Sequence, residues 1–309
     1  MDEHAIADGH QWSEARNMLC VRLDGAGDLL MTTPAIRALK ESAPDRHITL
    51  LTSHSGAEVA ALVPEIDEVL VYESPWMKTA NPRTSGPDYA VLERVRRRHF
   101  DAAVIFTVYS QSPLPAALFC YLADIPLRLA HCRENPYLLL SDWVPEQEPE
   151  RLSRHEVQRQ LDLVATVGCA TQNEKLGIRV SEAAYEKALT ALQGAGVDPE
   201  RPWIAVHPGA TAPSRRYPPE LFGAAANVLS ADDGCQLVFT GSKHERSLVN
   251  EIQQSMEGPS VSLAGTLDLQ ELSALVSLAP VLVSNNTLPV HIAAAVGTPV
   301  VDLYALTNP

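Results

Sequence analysis

Several features are scarce in this chain of 309 residues. No apolar run approaches the length of a membrane span, and the N-terminal stretch MDEHAIADGHQWSEARN is polar, so neither a spanning helix nor a secretory signal is expected. Cysteine is sparse: Cys20, Cys120, Cys132, Cys169 and Cys235 are scattered, odd in number and without a CxxC pair. They read as buried thiols of a reducing compartment, not as a disulfide or metal framework. Basic residues are outnumbered, 24 Lys and Arg against 38 Asp and Glu, for a formal charge of −14. That balance argues against general nucleic-acid binding. No DxD-type acidic cluster ends a strand, so no metal and no other cofactor is expected. What remains is 46% hydrophobic, enough for two ordinary domains, and the expectation is a cytoplasmic enzyme.

Strand-like apolar runs alternate with helical patterns throughout, the signature of parallel α/β layers. In the first half, strands are expected at Met18–Leu23, His47–Thr52, Glu68–Tyr72, Ala102–Thr107 and Leu127–Ala130. Helices are expected at Asp28–Glu41, Ala57–Leu62, Tyr89–Arg98 and Leu114–Ala123, with Pro34 kinking the first or marking its true start. The stretch 73–87 holds three prolines and no periodicity, which predicts a long loop. A proline-rich acidic stretch, Trp143–Glu150, precedes a helical segment at His155–Val167. The pattern then restarts, with strands at Trp203–Val206, Gln236–Thr240, Val281–Ser284 and Val300–Leu303, and helices at Pro219–Leu229, Glu245–Met256, Leu269–Leu278 and Pro289–Val296. This predicts a loose extension over 1–17, an N-terminal Rossmann-like domain over 18–170 and a C-terminal one over 171–309, with a boundary near Gly168–Asn173. The chain stops at Thr307-Asn308-Pro309 directly after a strand, which reads as a C-terminal truncation.

The first strand runs into Gly25-Ala26-Gly27 and then a helix, as in a dinucleotide site, but position 30 is leucine where a third glycine belongs. Asp24 and Asp28 flank the turn, and a carboxylate at a helix start occupies the place of a phosphate. Anion chemistry falls instead in the second half. In SNNTLPVHIAAAVGTPVV, Asn285-Asn286-Thr287 precedes a helix opening at Pro289, so the turn presents backbone N–H groups with no acid among them. In HPGATAPSRRYPPELF, Gly209 and Thr211 lie in another strand-to-helix turn, and Arg215 and Arg216 are placed to clamp a pyrophosphate. In FTGSKHER, Gly241 ends a third strand and Glu245 stands where a carboxylate accepts from ribose hydroxyls. For each of these, an ordinary capped helix or a solvated loop also accounts for the residues taken singly.

Together with RLDGAGDLLMTTPAIRALK and SLAGTLDLQELSALV, these stretches, in this order from about Leu19 to Pro309, resemble the bacterial lipopolysaccharide heptosyltransferases, glycosyltransferase family 9. The resemblance implies the GT-B fold: two Rossmann-like domains facing a central cleft, the C-terminal one binding a nucleotide-sugar, usually ADP-heptose, and the N-terminal one presenting the acceptor. It implies that Asp28 is the general base of an inverting, metal-independent transfer, with Gly25 and Gly27 letting the acceptor approach the backbone. The family's phosphate-binding lysine falls on Arg215 and its ribose-binding glutamate on Glu245. An adenine-pocket position falls near Leu267, and the phosphate turn falls on Asn286 and Thr287, with a histidine at His291. Leu288 stands where the family has glycine. The implied partners are an ADP-linked sugar and a glycan or lipid-linked saccharide, with no nucleic acid. The basic run RVRRRH at 94–99 allows peripheral contact with anionic lipid at the inner membrane. RLAHCREN at 128–135 is a candidate lining of the acceptor cleft. Two readings from other classes stay open on the residues: an epimerase or hydrolase of sugar nucleotides on the same fold, and a non-catalytic relative that binds nucleotide or glycan.

Overall fold

The computed structural model describes residues 9–78, 84–231 and 234–305. The chain divides into two compact units, Met1–Gly177 and Ile178–Pro309. The first opens with helix α1 (Gly9–Glu14) and strand β1 (Asn17–Arg22), followed by α2 (Ala26–Ser42), β2 (His47–Thr52), α3 (His54–Ala60) and β3 (Glu68–Val71). It continues with α4 (Gly86–Arg96), β4 (Ala102–Ile105), α5 (Leu114–Leu122), β5 (Leu127–Cys132), β6 (Asp142–Pro145) and α6 (Glu156–Ala165). The second unit contains α7 (Glu182–Gly194), β7 (Trp203–His207), α8 (Pro219–Ala231), β8 (Gln236–Phe239), α9 (Arg246–Gln254), β9 (Ser260–Ser262), α10 (Leu269–Leu278), β10 (Leu282–Asn285), α11 (Leu288–Val296) and β11 (Val300–Leu303).

Both sheets are parallel. The first has the strand order β3-β2-β1-β4-β5-β6 and the second β11-β10-β7-β8-β9. Numbered within its own unit, each sheet runs 3-2-1-4-5, the doubly wound order, with a direction reversal between β1 and β4 in one and between β7 and β10 in the other. Central strands read as unbroken apolar runs because helices cover both faces. Met18, Leu19, Cys20 and Val21 of β1 are all buried, as are Leu237, Val238 and Phe239 of β8. Each unit has its own core, with Leu19, Ile105 and Phe119 among its residues in the first and Val206, Phe239 and Ile252 in the second.

Three expectations change. The N-terminal segment is not loose where it is described. Trp12 is fully buried, its indole N–H donates to Asp142 Oδ2 at 3.1 Å, and the buried Arg46 guanidinium donates to the carbonyls of Trp12 and Ala15. Residues 1–8 of that expected extension lie outside the described residues, as do 79–83 of the expected loop and the last residues, 306–309. Pro34 does not start helix α2, which continues through it. Proline removes the N–H that would reach the Leu30 carbonyl, and the Thr33 hydroxyl donates to that carbonyl instead, at 2.7 Å. The proline-rich acidic stretch at 143–150, for which no strand is expected, carries most of strand β6, which pairs in parallel on the edge of the first sheet and ends at Pro145, where a proline is tolerated.

Candidate active site

In the second unit the expected donor residues lie along the carboxyl edge of the sheet, where parallel α/β folds bind ligands. β7 ends at His207, whose Nδ1 lies 3.0 Å from the Thr240 hydroxyl and whose Nε2 faces a Glu245 carboxylate oxygen at 4.0 Å. Burial lowers the pKa of His207, against the opposing influence of its acidic neighbour. Burial works to raise the Glu245 carboxyl, but the Ser242 amide donating at 2.7 Å, with His207 and Arg216 nearby, outweighs it and holds the group below the ordinary carboxylate range. Gly209 makes room for this carboxylate, since a Cβ there would lie 2.1 Å from Glu245 Oε1. Gly241 is packed against Glu245 Cβ and accepts a hydrogen bond from the Gly265 amide at 2.7 Å. Gly265 has φ +69°, a left-handed conformation that suits glycine, and Arg246 donates to the carbonyls of Ala264 and Gly265. The loops after β8 and β9 are thus stitched together, and the half-buried Leu267 follows directly.

The two arginines after β7 differ in employment. Arg216 Nε donates to the Ala210 carbonyl at 2.8 Å and fastens the turn. Arg215 is exposed on a short 3₁₀ turn, and its guanidinium makes no hydrogen bond or ion pair among the described residues. Thr211, in the same turn, is also exposed. Asn285, at the end of β10, donates to the Pro208 carbonyl at 2.7 Å and accepts from the Tyr217 amide, so it pins the β7 loop beside the start of α11. Asn286 is committed as well, its amide donating to Asp302 at 2.8 Å. Thr287 takes the N-cap position of α11 without a side-chain cap bond; Pro289 has no N–H and the Val290 amide donates to the Thr287 carbonyl at 3.0 Å, so the Leu288 amide is the donor this helix start offers. Leu288 and the half-buried His291 follow in that turn.

The corresponding edge of the first unit carries the opposite charge. β1 ends at Arg22, fully buried, with Nε 3.1 Å from Asp24, Nη1 3.0 Å from Glu156 and Nη2 3.7 Å from Asp28. Burial, the largest influence, raises the Asp24 carboxyl, and Asp28 and Glu156 push the same way against Arg22 and Gln111. Asp28 sits in the first turn of α2 and accepts from the Gly25 amide at 3.1 Å. Gly25 has φ −78° and ψ 170°, a conformation open to any residue, so the turn itself does not demand glycine there. A cavity of about 390 Å³ opens beside β1 and β4, lined by Asp24, Trp76, Lys78, Phe106 and Gln111 among others. A smaller one of about 130 Å³ shares Gln111 and is lined by His131, Arg133, Glu134 and Glu146. The stretch 128–135 therefore does line a cavity. Burial, with Arg159 beside it, lowers His131 to about 4; its Nε2 lies 3.1 Å from the Arg159 carbonyl and its Nδ1 has no partner.

The sequence alone assigns no role to Arg22, Glu156 or His207, and gives Asn285 only a place in the polar turn, yet these residues hold the sites in place. Arg22 leaves a signal, a cation ending an otherwise apolar buried strand. Glu156 does not, because only the fold brings it across 134 positions to Arg22.

The chain is 25% identical over 290 residues to lipopolysaccharide heptosyltransferase 3 of Escherichia coli, covering 91% of this chain and 81% of that protein. Its fold matches a glycosyltransferase family 9 structure from Veillonella parvula with a TM-score of 0.78 at 21% identity, over 95% of this chain and 82% of that one. It also matches the E. coli heptosyltransferase WaaC with ADP, with a TM-score of 0.67 at 17% identity, over 95% and 88% of the two chains. The fold is therefore that of the GT-B enzymes. The model of glycosyltransferase family 9 (heptosyltransferase) matches residues 89–309, well over half of the chain, and the chain belongs to that family.

Proposed function

We propose that this glycosyltransferase moves a heptose from ADP-heptose to a hydroxyl group of a lipid-linked saccharide of lipopolysaccharide type, inverting the anomeric centre and needing no metal. One observation carries the reading: two sheet edges of the same topology are armed oppositely. In the second unit an unpaired Arg215, a braced Glu245 and an uncapped helix start lie along one edge. In the first, three carboxylates surround Arg22 beside the larger cavity. The first edge repels a pyrophosphate and the second attracts one.

In this mechanism Asp28 takes the proton of the acceptor hydroxyl while that oxygen forms its bond to the anomeric carbon. The bond from that carbon to the β-phosphate oxygen breaks on the opposite face, and its electron pair leaves with ADP. Arg215 and the Leu288 amide at the start of α11 stabilise the charge that develops there, and Glu245 accepts from the ribose hydroxyls. Among the described residues no group of three His, Cys, Asp or Glu side chains is arranged to hold a metal ion. A lipid-linked acceptor puts the enzyme at the cytoplasmic face of the inner membrane, in peripheral contact with it.

The test is a calorimetric titration with ADP-, GDP-, UDP- and dTDP-sugars, run on the parent and on Arg215→Ala. ADP-heptose should bind best, and Arg215→Ala should weaken ADP by ~1.5–3 kcal/mol, as for a hydrogen bond to a charged group. Preference for another nucleotide overturns the donor assignment. Unchanged ADP affinity in Arg215→Ala overturns the role of that residue.

A further inference from the structure

The apolar side chains of this molecule are mostly inside, and among the exposed ones described a group in the first unit includes the two most exposed. Along α5, Leu118, Tyr121 and Leu122 recur at helical spacing on an exposed stripe. Beside them, in the crossover from β5 to β6, Tyr137 and Leu138 are 82% and 77% exposed, the two most exposed large apolar side chains among the described residues. The cluster is continuous. Arg128 lies 5.5 Å over the Tyr121 ring and donates to the carbonyls of Leu138 and Leu139, tying helix to crossover. Tyr137 has φ +48°, an uncommon backbone for an aromatic residue, and its amide is held by the Asn135 side chain at 2.9 Å. The loop spends backbone strain to present an apolar ring to solvent, and strain of this kind marks functional segments.

The rim of this cluster carries three exposed arginines, two of them facing carboxylates, in a chain whose net charge is −14. At the end of α5, Asp124 pairs with Arg96 at 2.7 Å, which brings the last turn of α4 alongside. That turn exposes Arg94, Arg96 and Arg97. An apolar surface rimmed by cations suits the headgroup region of an anionic bilayer, where aromatic and leucine side chains enter the interface and arginines meet lipid phosphates. A twofold contact between copies through this face would set the arginines of one copy near those of the other. An anionic membrane neutralises them instead, and repels most of the remaining, acidic surface.

We infer that the α4–α5 face, with Tyr137 and Leu138 at its tip, is the surface by which this enzyme rests on anionic lipid. This extends the proposed peripheral membrane contact by naming its surface. Its test contains neither donor nor acceptor, so failure here leaves the donor reading untouched.

The full chain is sedimented with vesicles of phosphatidylcholine, with and without phosphatidylglycerol. It should pellet only with the anionic vesicles and be released by salt. Tyr137→Ser with Leu138→Ser should lower the partition by about tenfold or more, with the melting temperature unchanged. Arg94→Gln with Arg97→Gln should lower it roughly twentyfold, since each basic residue near the surface is worth about fivefold. Val228→Ser, at an exposed apolar residue in the second unit, should change nothing. A folded parent that ignores anionic vesicles overturns the inference, as does undiminished binding by the serine pair. A dimer of the parent that the serine pair dissociates would assign the face to a second copy and overturn it too.

Discussion

Asp28 has two occupations, and one substitution separates them. It accepts the Gly25 amide at the start of α2, and it is the proposed base. Asparagine keeps an acceptor for that amide and removes the carboxylate, so Asp28→Asn should melt close to the parent temperature while turnover falls by ~10²–10⁴. Full turnover in a normally stable Asp28→Asn enzyme would leave only the cap. Gly209 offers a sharper probe of the donor side, because its hydrogen atoms lie where a methyl group would strike the Glu245 carboxylate. Gly209→Ala should push Glu245 off its Ser242 bond and weaken ADP about tenfold. The same alanine in a Glu245→Ala background should cost almost nothing further, because the two changes act through one contact. Additive losses would show that Gly209 meets the nucleotide by itself.

Among the elements, β5 carries an acid-sensitive group. The His131 ring is buried at the strand's carboxyl end, faced by Arg159 and Arg154 and by the carboxylate of Glu146. Its folded pKa of about 4 lies below the ordinary 6.5, so the unfolded chain takes the proton first. The stabilising contribution is complete above 6.5 and is lost as pH falls toward 4. Asp24, raised by burial, works in the opposite sense over acid pH, so the comparison must be between variants. His131→Gln should lose less melting temperature than the parent between pH 7 and 4.5, and equal losses would refute the assignment. The sequence announces β2, α10 and β11 to the residue, because each is a dense apolar run with clear stops. It hides α7, whose buried stripe is Ala184, Ala188 and Leu192 and contrasts little with its exposed face. It hides β9, three residues long with two serines, and α1, which is fixed by Trp12 and Arg46 through long-range contacts. The candidate site follows the same division. Glu245 and Asp28, in the turns that follow β8 and β1, stand out from local pattern, Asp28 as a base only through the family resemblance, whereas His207 beside Glu245 and Glu156 beside Arg22 required the fold.

At the scale of the molecule, one topology occurs twice, and the two copies are proposed to serve opposite substrates. Hydrogen exchange on the full chain tests this directly. ADP should slow exchange at amides in 209–216, 242–246, 265–268 and 287–291, and leave the turn at 25–28 unchanged. Protection confined to 25–28 would reverse the assignment of the two units. The route by which the chain leaves the first unit adds a mechanical constraint. Arg37, in the middle of α2, holds the carbonyls of Asn173 and Lys175 at 2.8 Å each, and Thr33 accepts the Gly177 amide at 3.2 Å. Gly177 is pressed so closely on Arg37 that a Cβ would lie 2.2 Å from its guanidinium. The exit strap is therefore riveted to the helix whose first turn carries Asp28. Any pivot in the connection must begin after residue 177, and a pull arriving along the chain is delivered to α2 as a whole, the lever that bears the proposed base.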